Sequence, residues 1–382
     1  MNFIVYIFWV MMMFSCKTEH YDVSGGSNKP YDPPDTSILI SHIYIPPSDS
    51  LILSRGSKMI SYCIWNDSTY CLMEDCENRI VRQYQFPSFH LVGHFPVPPE
   101  LALCEGFHNY WFIDPSQYLV LTDQGDLFRY NNYIFKKEAD LKNINLNSHY
   151  EFTTWLMDHN QIFQRIDSSI LIPISYNRNV KTKNPEKRPS NVAMIQDGHL
   201  LLLGDRTVPH WTEEYYGLID KMYEYFTDST IVYMFSQNAQ IRVFNYLSNQ
   251  LSVSKAKSIY QKSETEPVGK NDDKDALWSH MKNSGHYERL VYDPWKHWYY
   301  RFYFLPIPAH QQDGTTSTIR DRQVSIMILD RTFNVIAEKI LPGKNQSIHL
   351  AIPTTSGLYI NDGPIIASEG FKLFKINYEI HK

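Results

Sequence analysis

The stretch Leu290–Leu305, LVYDPWKHWYYRFYFL, decides the fold of this 382-residue chain. Two β-rich runs flank Asp293-Pro294-Trp295-Lys296, where the proline presets φ for a turn and the aspartate bonds the turn backbone, so a hairpin is predicted. Its second strand is almost wholly aromatic. Alternation puts Trp298, Tyr300, Phe302 and Phe304 on one face and Tyr299, Arg301, Tyr303 and Leu305 on the other, and neither face is polar. Such a strand needs cover on both sides, which a sheet stacked between two other sheets supplies.

Working outward, QVSIMILD (323–330) and FNVIAEKIL (333–341) complete the hairpin's set of four strands. Short strands recur elsewhere with turn residues between them: 59–65, 69–74, 78–86 and 89–97, then 109–114, 118–123, 126–131 and 134–139. The runs QIFQRID, SILIPIS, NVAMIQ and LLLLGDRTV between 161 and 208 make a third set, after a segment near 147–158 read as a short helix. A fourth spans about 218–257, and 348–353, 357–361 and 371–379 give a last set with only three clear strands. Four-strand meanders recurring every 40 to 50 residues or so are the signature of a β-propeller.

Six blades are expected, with a seventh allowed if 140–165 hides one; a pair of β-sandwich domains is the rival all-β architecture. The strand SILISHIYI (37–45) has no neighbouring partner and is available to complete the last blade, closing the ring and removing exposed sheet edges. The domain is therefore read as 36–382. Length alone would permit two domains, but propellers routinely exceed the usual domain size.

With 43% hydrophobic residues, 27 Tyr, 20 Phe and 8 Trp, the chain is too apolar for disorder. A formal charge of −5 gives no basic footprint for nucleic acid, which is excluded as a partner. Residues 1–15 contain an apolar run too short to span a bilayer comfortably and read as a signal peptide. Cys16 follows Ser15, as at the acylation site of bacterial lipoproteins, although no Lys or Arg precedes the run. Lipidation at Cys16 would make the membrane a partner, and residues 16–35, rich in Gly, Pro and Ser, would form a flexible tether.

Four further cysteines lie at 63, 71, 76 and 104. If Asn66-Asp67-Ser68 is a three-residue loop, Cys63 and Cys71 face each other across a hairpin, as a disulfide or as two small buried hydrophobes. No C-x₂-C pair suggests zinc, and no metal is expected.

The segments HYERLVYDPWKHWYYRFYF, VSIMILDRTFNVIAEKIL and SGLYIND, behind the cysteine and tether, resemble an uncharacterised family of Bacteroidetes-type propeller lipoproteins carrying a domain of unknown function. More loosely, the chain is similar to TolB-like six-bladed propellers. The resemblance covers most of 36–380 and implies a propeller exported to the cell envelope and anchored there, with the outer membrane as its site. It implies no activity and no cofactor.

Propellers place ligands at the mouth of the central channel, so polar residues embedded in apolar strands are the candidates. Arg301, between Tyr299 and Tyr303, could grip a carboxylate, or it could brace the fold through an acidic partner. It is expected on an inner strand. His286 and Glu288 could bring an acid/base pair to the rim, or merely mark a polar loop-to-strand junction. Arg206, His210 and Trp211 combine charge with an aromatic face suited to glycan or peptide contact, against the reading of a Trp filling a gap between blades. Two insertions are long for blade connections: 177–191, with five basic residues and one acid, and 258–285, with a helical turn near Leu277-Trp278.

The sequence holds no G-x-S-x-G, H-E-x-x-H, P-loop or dinucleotide fingerprint. The expected function is thus a noncatalytic binding or scaffold module for a peptide, glycan or partner protein. A hydrolase or lyase using rim His and carboxylates is the alternative.

Overall fold

The computed structural model describes residues 36–46, 58–75, 77–97, 108–122, 126–131, 134–140, 150–152, 163–164, 168–176, 192–196, 199–203, 222–268, 273–308, 310, 314–318, 321–342, 347–361 and 371–380. The signal peptide and tether read at 1–35, Cys16 among them, lie outside the described residues, as does the basic insertion 177–191.

The fold is an all-β propeller. Five sheets among the described residues are four-stranded and antiparallel. The first holds β2 (Lys58–Trp65), β3 (Ser68–Asp75), β4 (Ile80–Phe86) and β5 (His90–Pro96). The second holds β6 (His108–Asp114), β7 (Gln117–Thr122), β8 (Asp126–Asn131) and β9 (Ile134–Asp140). Further along come β15 (Met222–Phe226), β16 (Thr230–Phe235), β17 (Gln240–Asn245) and β18 (Gln250–Lys255). The hairpin blade follows, with β19 (His286–Asp293), β20 (Trp298–Phe304), β21 (Val324–Leu329) and β22 (Val335–Ile340). The closing blade runs β23 (Ser347–Thr354), β24 (Gly357–Asn361), β25 (Phe371–Ile380) and then β1 (Thr36–Ile45).

The expectation of six blades, with seven allowed, is corrected to five. The sheet between the second and third of these blades is built differently. In it, β10 (Tyr150–Phe152) and β11 (Phe163–Gln164) both pair with β12 (Ile170–Tyr176), which leads to β13 (Val192–Gln196) and β14 (His199–Leu202). Of the run 161–167, the described residues Phe163 and Gln164 pair with Leu171 and Ile170 of β12. Of the segment near 147–158 read as a short helix, Tyr150–Phe152 form β10 and the rest lies outside the described residues.

Closure is by the N-terminal strand. β1 pairs along its whole length with β25, from Thr36 opposite Ile380 to Ile45 opposite Phe371. Lys339 of β22 donates to the carbonyl of Ile38 at 2.7 Å, tying the added strand to the hairpin blade next to it.

The hairpin is formed as its sequence dictates. Asp293 Oδ1 accepts from the backbone N–H groups of Trp295 and Lys296, each at 3.0 Å, across the turn. Tyr300 and Phe302, with Trp298 and Phe304 at their flanks, pack with Ile326, Ile328, Leu358 and Ile376 toward the closing blade. Tyr303, flanked by Tyr299 and Leu305, packs with Val232, Met234 and Ile241 of the 222–255 blade. Burying each such side chain is worth about 1.5–3 kcal/mol, so β20 is a main seam of the ring. Gly285 is required here, because a Cβ would collide with the Tyr303 phenol.

Cys63 and Cys71 are not opposite each other. The loop between β2 and β3 is Asn66-Asp67, with φ of 46° and 58°, a two-residue turn rather than the expected three. Tyr62 therefore pairs with Cys71 and Cys63 with Tyr70, and a shift of one residue sends the two thiols to opposite faces of the sheet. Both are free and buried.

The helical turn near Leu277 is a ten-residue helix, α1 (Lys274–Asn283). Asp273 caps its start by accepting from Ala276 N–H at 2.8 Å. No helix among the described residues is long and apolar enough to cross a membrane.

Candidate functional site

The innermost strands of the blades face the propeller axis. β19 lies beside β15 and β23, and β2 beside β6 and β23, so β2 and β15 are not neighbours in the ring. On β19 a bulge falls between Glu288 and Leu290 and sets Arg289 outside the register with β20 at φ 55°, a left-handed conformation rarely adopted by a long side chain. The bulge turns the Arg289 guanidinium toward β23, where Nη1 donates to the carbonyl of Ile348 at 3.1 Å.

Tyrosines of two adjacent blades meet at the end of β19. Tyr225 of β15 lies 5.4 Å from Tyr292 of β19 between ring centroids, and Tyr292 lies 4.9 Å from Tyr299. Tyr292 and His297 share a hydrogen bond of 2.9 Å. The Tyr62 phenol of β2 is influenced by the charges of Arg289 and Asp293, and that of Tyr225 by Tyr62. Burial pushes the Tyr62 phenol up, against the Arg289 cation and with the Asp293 carboxylate. Burial and the surrounding phenols likewise raise Tyr225, and burial lifts Tyr299 to about 12. All three are neutral hydroxyls at physiological pH, able both to donate and to accept. Tyr62, Tyr225 and Tyr292 are each half-buried.

Arg301 is elsewhere. It sits on β20, the second strand of its blade, and not on an inner strand as expected, because the Asp293 turn makes the preceding strand β19 the innermost. The side chain is 0% exposed. Neither expected arrangement holds, since its bonds go neither to a carboxylate nor to open channel. Nη1 donates to Ala239 O at 3.0 Å and Ala256 O at 2.8 Å, and Nη2 to Asn238 O at 2.8 Å. Nε points at Met234 sulfur at 3.0 Å, and the guanidinium carbon lies 3.6 Å over the Tyr287 ring. Burial lowers its pKa to about 10, so the cation persists at neutral pH. Tyr303 packs on Tyr287 at 4.9 Å and is buried with it. Arg301 and Tyr303 thus join two blades, while Tyr299 borders the axial tyrosines.

His286 and Glu288 do approach each other, Nε2 to Oε1 at 3.4 Å. They are 2% and 8% exposed, and the imidazole stacks on Phe304 at 5.2 Å with Arg322 Nη1 at 3.2 Å from Nδ1. Burial lowers the His286 pKa, and the Arg322 cation adds to that against Glu288. This pair has the composition of an acid/base dyad but is covered from solvent. Arg206, His210 and Trp211 lie outside the described residues. Among the described residues, no group of His, Cys, Asp and Glu is placed to hold a metal ion.

Sequence reasoning missed Arg289, Tyr62, Tyr225 and Tyr292. A signal was present: the first strand of several sets carries a tyrosine near its middle, in SYCIW, NYWF, MYEYF and LVYD.

A family model described as a domain of unknown function, DUF4221, matches residues 104–340. No curated protein matches the sequence. The crystal structure of a DUF4221 member from Bacteroides vulgatus superposes with a TM-score of 0.67 at 15% identity, covering 90% of this chain and 98% of that one. A Bacteroides fragilis protein named as exported gives 0.49 at 9% identity, over 90% of this chain and 95% of that one. The calcium-binding protein regucalcin from Agrobacterium tumefaciens gives 0.40 at 10%, over 83% and 89%. The first likeness shows the fold; the other two are too distant in shape to carry an argument.

Proposed function

The chain belongs to the DUF4221 family, whose name assigns no chemistry, and from its own residues we propose a noncatalytic binding module presented on the cell envelope. The observation that carries this reading is the packing of Tyr225 of one blade against Tyr292 and Tyr299 of the next, beside the innermost strands, with Tyr62 and the largely buried Arg289 within reach of their charge. Aromatic faces supply contact area at low entropic cost, phenols supply hydrogen bonds of either sense, and a positioned cation fixes orientation. A rigid ring holding these groups on its inner strands suits recognition of a peptide, a glycan or a loop of a partner protein. Of the rim His and carboxylates that a hydrolase or lyase would use, His286 and Glu288 are buried beneath Phe304 and Arg322.

Export and acylation at Cys16 belong to the same proposal. The tether would hold the propeller off the membrane by a distance on the order of 25 Å. Membrane partitioning that is lost in Cys16→Ala would support the anchor, and protease shaving of intact cells would tell which side the propeller faces.

The binding reading is tested by screening peptide and glycan arrays with wild-type protein, Tyr292→Ala and Arg289→Gln. A ligand lost in both variants, at unchanged melting temperature, supports the axial site. Retention of every ligand by both variants would move binding elsewhere on the surface.

A further inference from the structure

The unspent hydrogen-bond donors of the hairpin blade gather at one place, the C-terminal turn of α1. Arg322 is 3% exposed and spans this turn. Its Nη2 donates to the carbonyls of Met281 and of Lys282, the latter at 3.2 Å, and its Nη1 rests on His286. Its Nε is buried with no acceptor. Ser317, 2% exposed, has a buried hydroxyl that is also without a partner. The two are joined through Lys282, whose Nζ donates to the Ser317 carbonyl at 3.1 Å while its own carbonyl serves Arg322.

Charge repeats the pattern. Among the described residues, no carboxylate pairs with Arg322 or Lys282. The Glu288 carboxylate lies beside His286 and its charge acts on the guanidinium with no hydrogen bond between them, and Asp321 Oδ2 accepts from the N–H and hydroxyl of Thr318. One N–H of the Arg322 guanidinium and the Ser317 hydroxyl are thus buried without an acceptor, with the Lys282 ammonium on the Ser317 carbonyl, and an unpaired buried donor costs roughly 1–3 kcal/mol. The missing component is an acceptor that carries negative charge.

We propose that Arg322, Ser317 and Lys282 form a binding site for a small oxyanion, either a free inorganic anion or the carboxylate of a larger ligand. The anion would take Arg322 Nε–H, the Ser317 hydroxyl and the remaining protons of Lys282. It would lock α1, the insertion that precedes the hairpin, to the segment that follows β20. The site lies apart from the axial tyrosines and stands or falls independently of the binding reading given to them.

The full-length chain is titrated with sodium phosphate, sodium sulfate and sodium acetate at constant ionic strength, with sodium chloride as the reference, and thermal melts are recorded. The expected result is a saturable rise in melting temperature with at least one oxyanion. Ser317→Ala should leave the anion-free melt in place and weaken the response about tenfold, the worth of one hydrogen bond to a charged group. Arg322→Gln should abolish it; since that variant can fail to fold, Lys282→Met serves as the second cationic test and should also weaken it. A response to phosphate or sulfate identifies an inorganic anion, and a response to acetate alone identifies a ligand carboxylate. No saturable rise, or equal rises in wild type, Ser317→Ala and Lys282→Met, overturns the proposal and leaves a buried water as the partner of these donors.

Discussion

The guanidinium of Arg301 lies 3.6 Å over the ring of Tyr287, one strand away in its own blade, and spends its N–H groups on carbonyls of the neighbouring blade. The same tyrosine continues the joint: its hydroxyl donates to Gln261 Oε1 at 2.7 Å and accepts from Ser258 N–H at 2.9 Å. Glu338 of β22 then accepts from the Ser258 hydroxyl at 2.5 Å, from Ile259 N–H at 2.8 Å and from the Ser325 hydroxyl at 2.6 Å. The 256–261 segment is pinned at both ends, and the two blades meet through polar bonds as well as through apolar packing.

Arg301→Met therefore removes more than a charge. It deprives the carbonyls of Asn238 and Ala256 of their guanidinium donor, while that of Ala239 keeps the Ala256 N–H at 2.9 Å, and at about 1–3 kcal/mol for each unsatisfied buried group the loss should reach roughly 2 kcal/mol or more. Arg301→Lys, with a point charge in place of a fork, should recover only part of it. Urea unfolding monitored by tryptophan fluorescence measures both. A Met variant as stable as wild type would mean that the carbonyls find other donors and that Arg301 is no brace.

The thiols of Cys63 and Cys71 should stay reduced even in an oxidising compartment. They lie on opposite faces of the sheet, in separate core clusters, and burial raises both above the ordinary thiol range. Reducing agent should leave the melting temperature unchanged, and a thiol reagent should label the two only after denaturant is added. Rapid labelling of the native protein, or a reductant-dependent melt, would contradict the register found here.

Strand β1 should matter far more than the chain before it. Removing residues 36–46 bares the edge of β25 and deletes Ile38 from the core shared by the hairpin and closing blades. A chain lacking 36–46 should melt well below the parent and aggregate, whereas one lacking 17–34 should match it. Equal melting of the two truncations would show that the ring holds without its added strand.

Much of this architecture was legible because the signals are local. Asp293-Pro294 marks a turn, alternation fixes the two faces of Trp298 to Leu305, and an orphan strand at 37–45 implies a distant partner. What was not legible depends on geometry between segments. A turn of two residues instead of three at Asn66-Asp67 separates Cys63 from Cys71, and one extra residue at Arg289 redirects its side chain toward β23. The role of Arg301 is set by carbonyls from residues 238–256, and backbone carbonyls leave no mark in a sequence. The inner-strand tyrosines were not legible for a related reason: single tyrosines scattered through separate strands become neighbours only when the ring brings the strands together.

His286 should give the protein an acid-sensitive step near neutrality. The imidazole stacks on Phe304, has Arg322 Nη1 at 3.2 Å and Glu288 at 3.4 Å, and burial lowers its pKa from the ordinary 6.5 in spite of the carboxylate. With the folded value below the unfolded one, the unfolded chain takes up the proton first as the pH falls. The stability contributed by neutral His286 is complete above about 6.5 and is lost progressively as pH drops toward the folded value. Protonation also removes the acceptor on which Arg322 rests and sets two cations side by side, so α1 should loosen with it. Melting temperatures measured from about pH 7.5 to 5.5, above the range where ordinary carboxylates titrate, should fall in wild type. In His286→Phe, which preserves the stack on Phe304 but cannot titrate, the slope over that interval should be markedly flatter. Parallel slopes in the two proteins would assign the acid sensitivity to other groups.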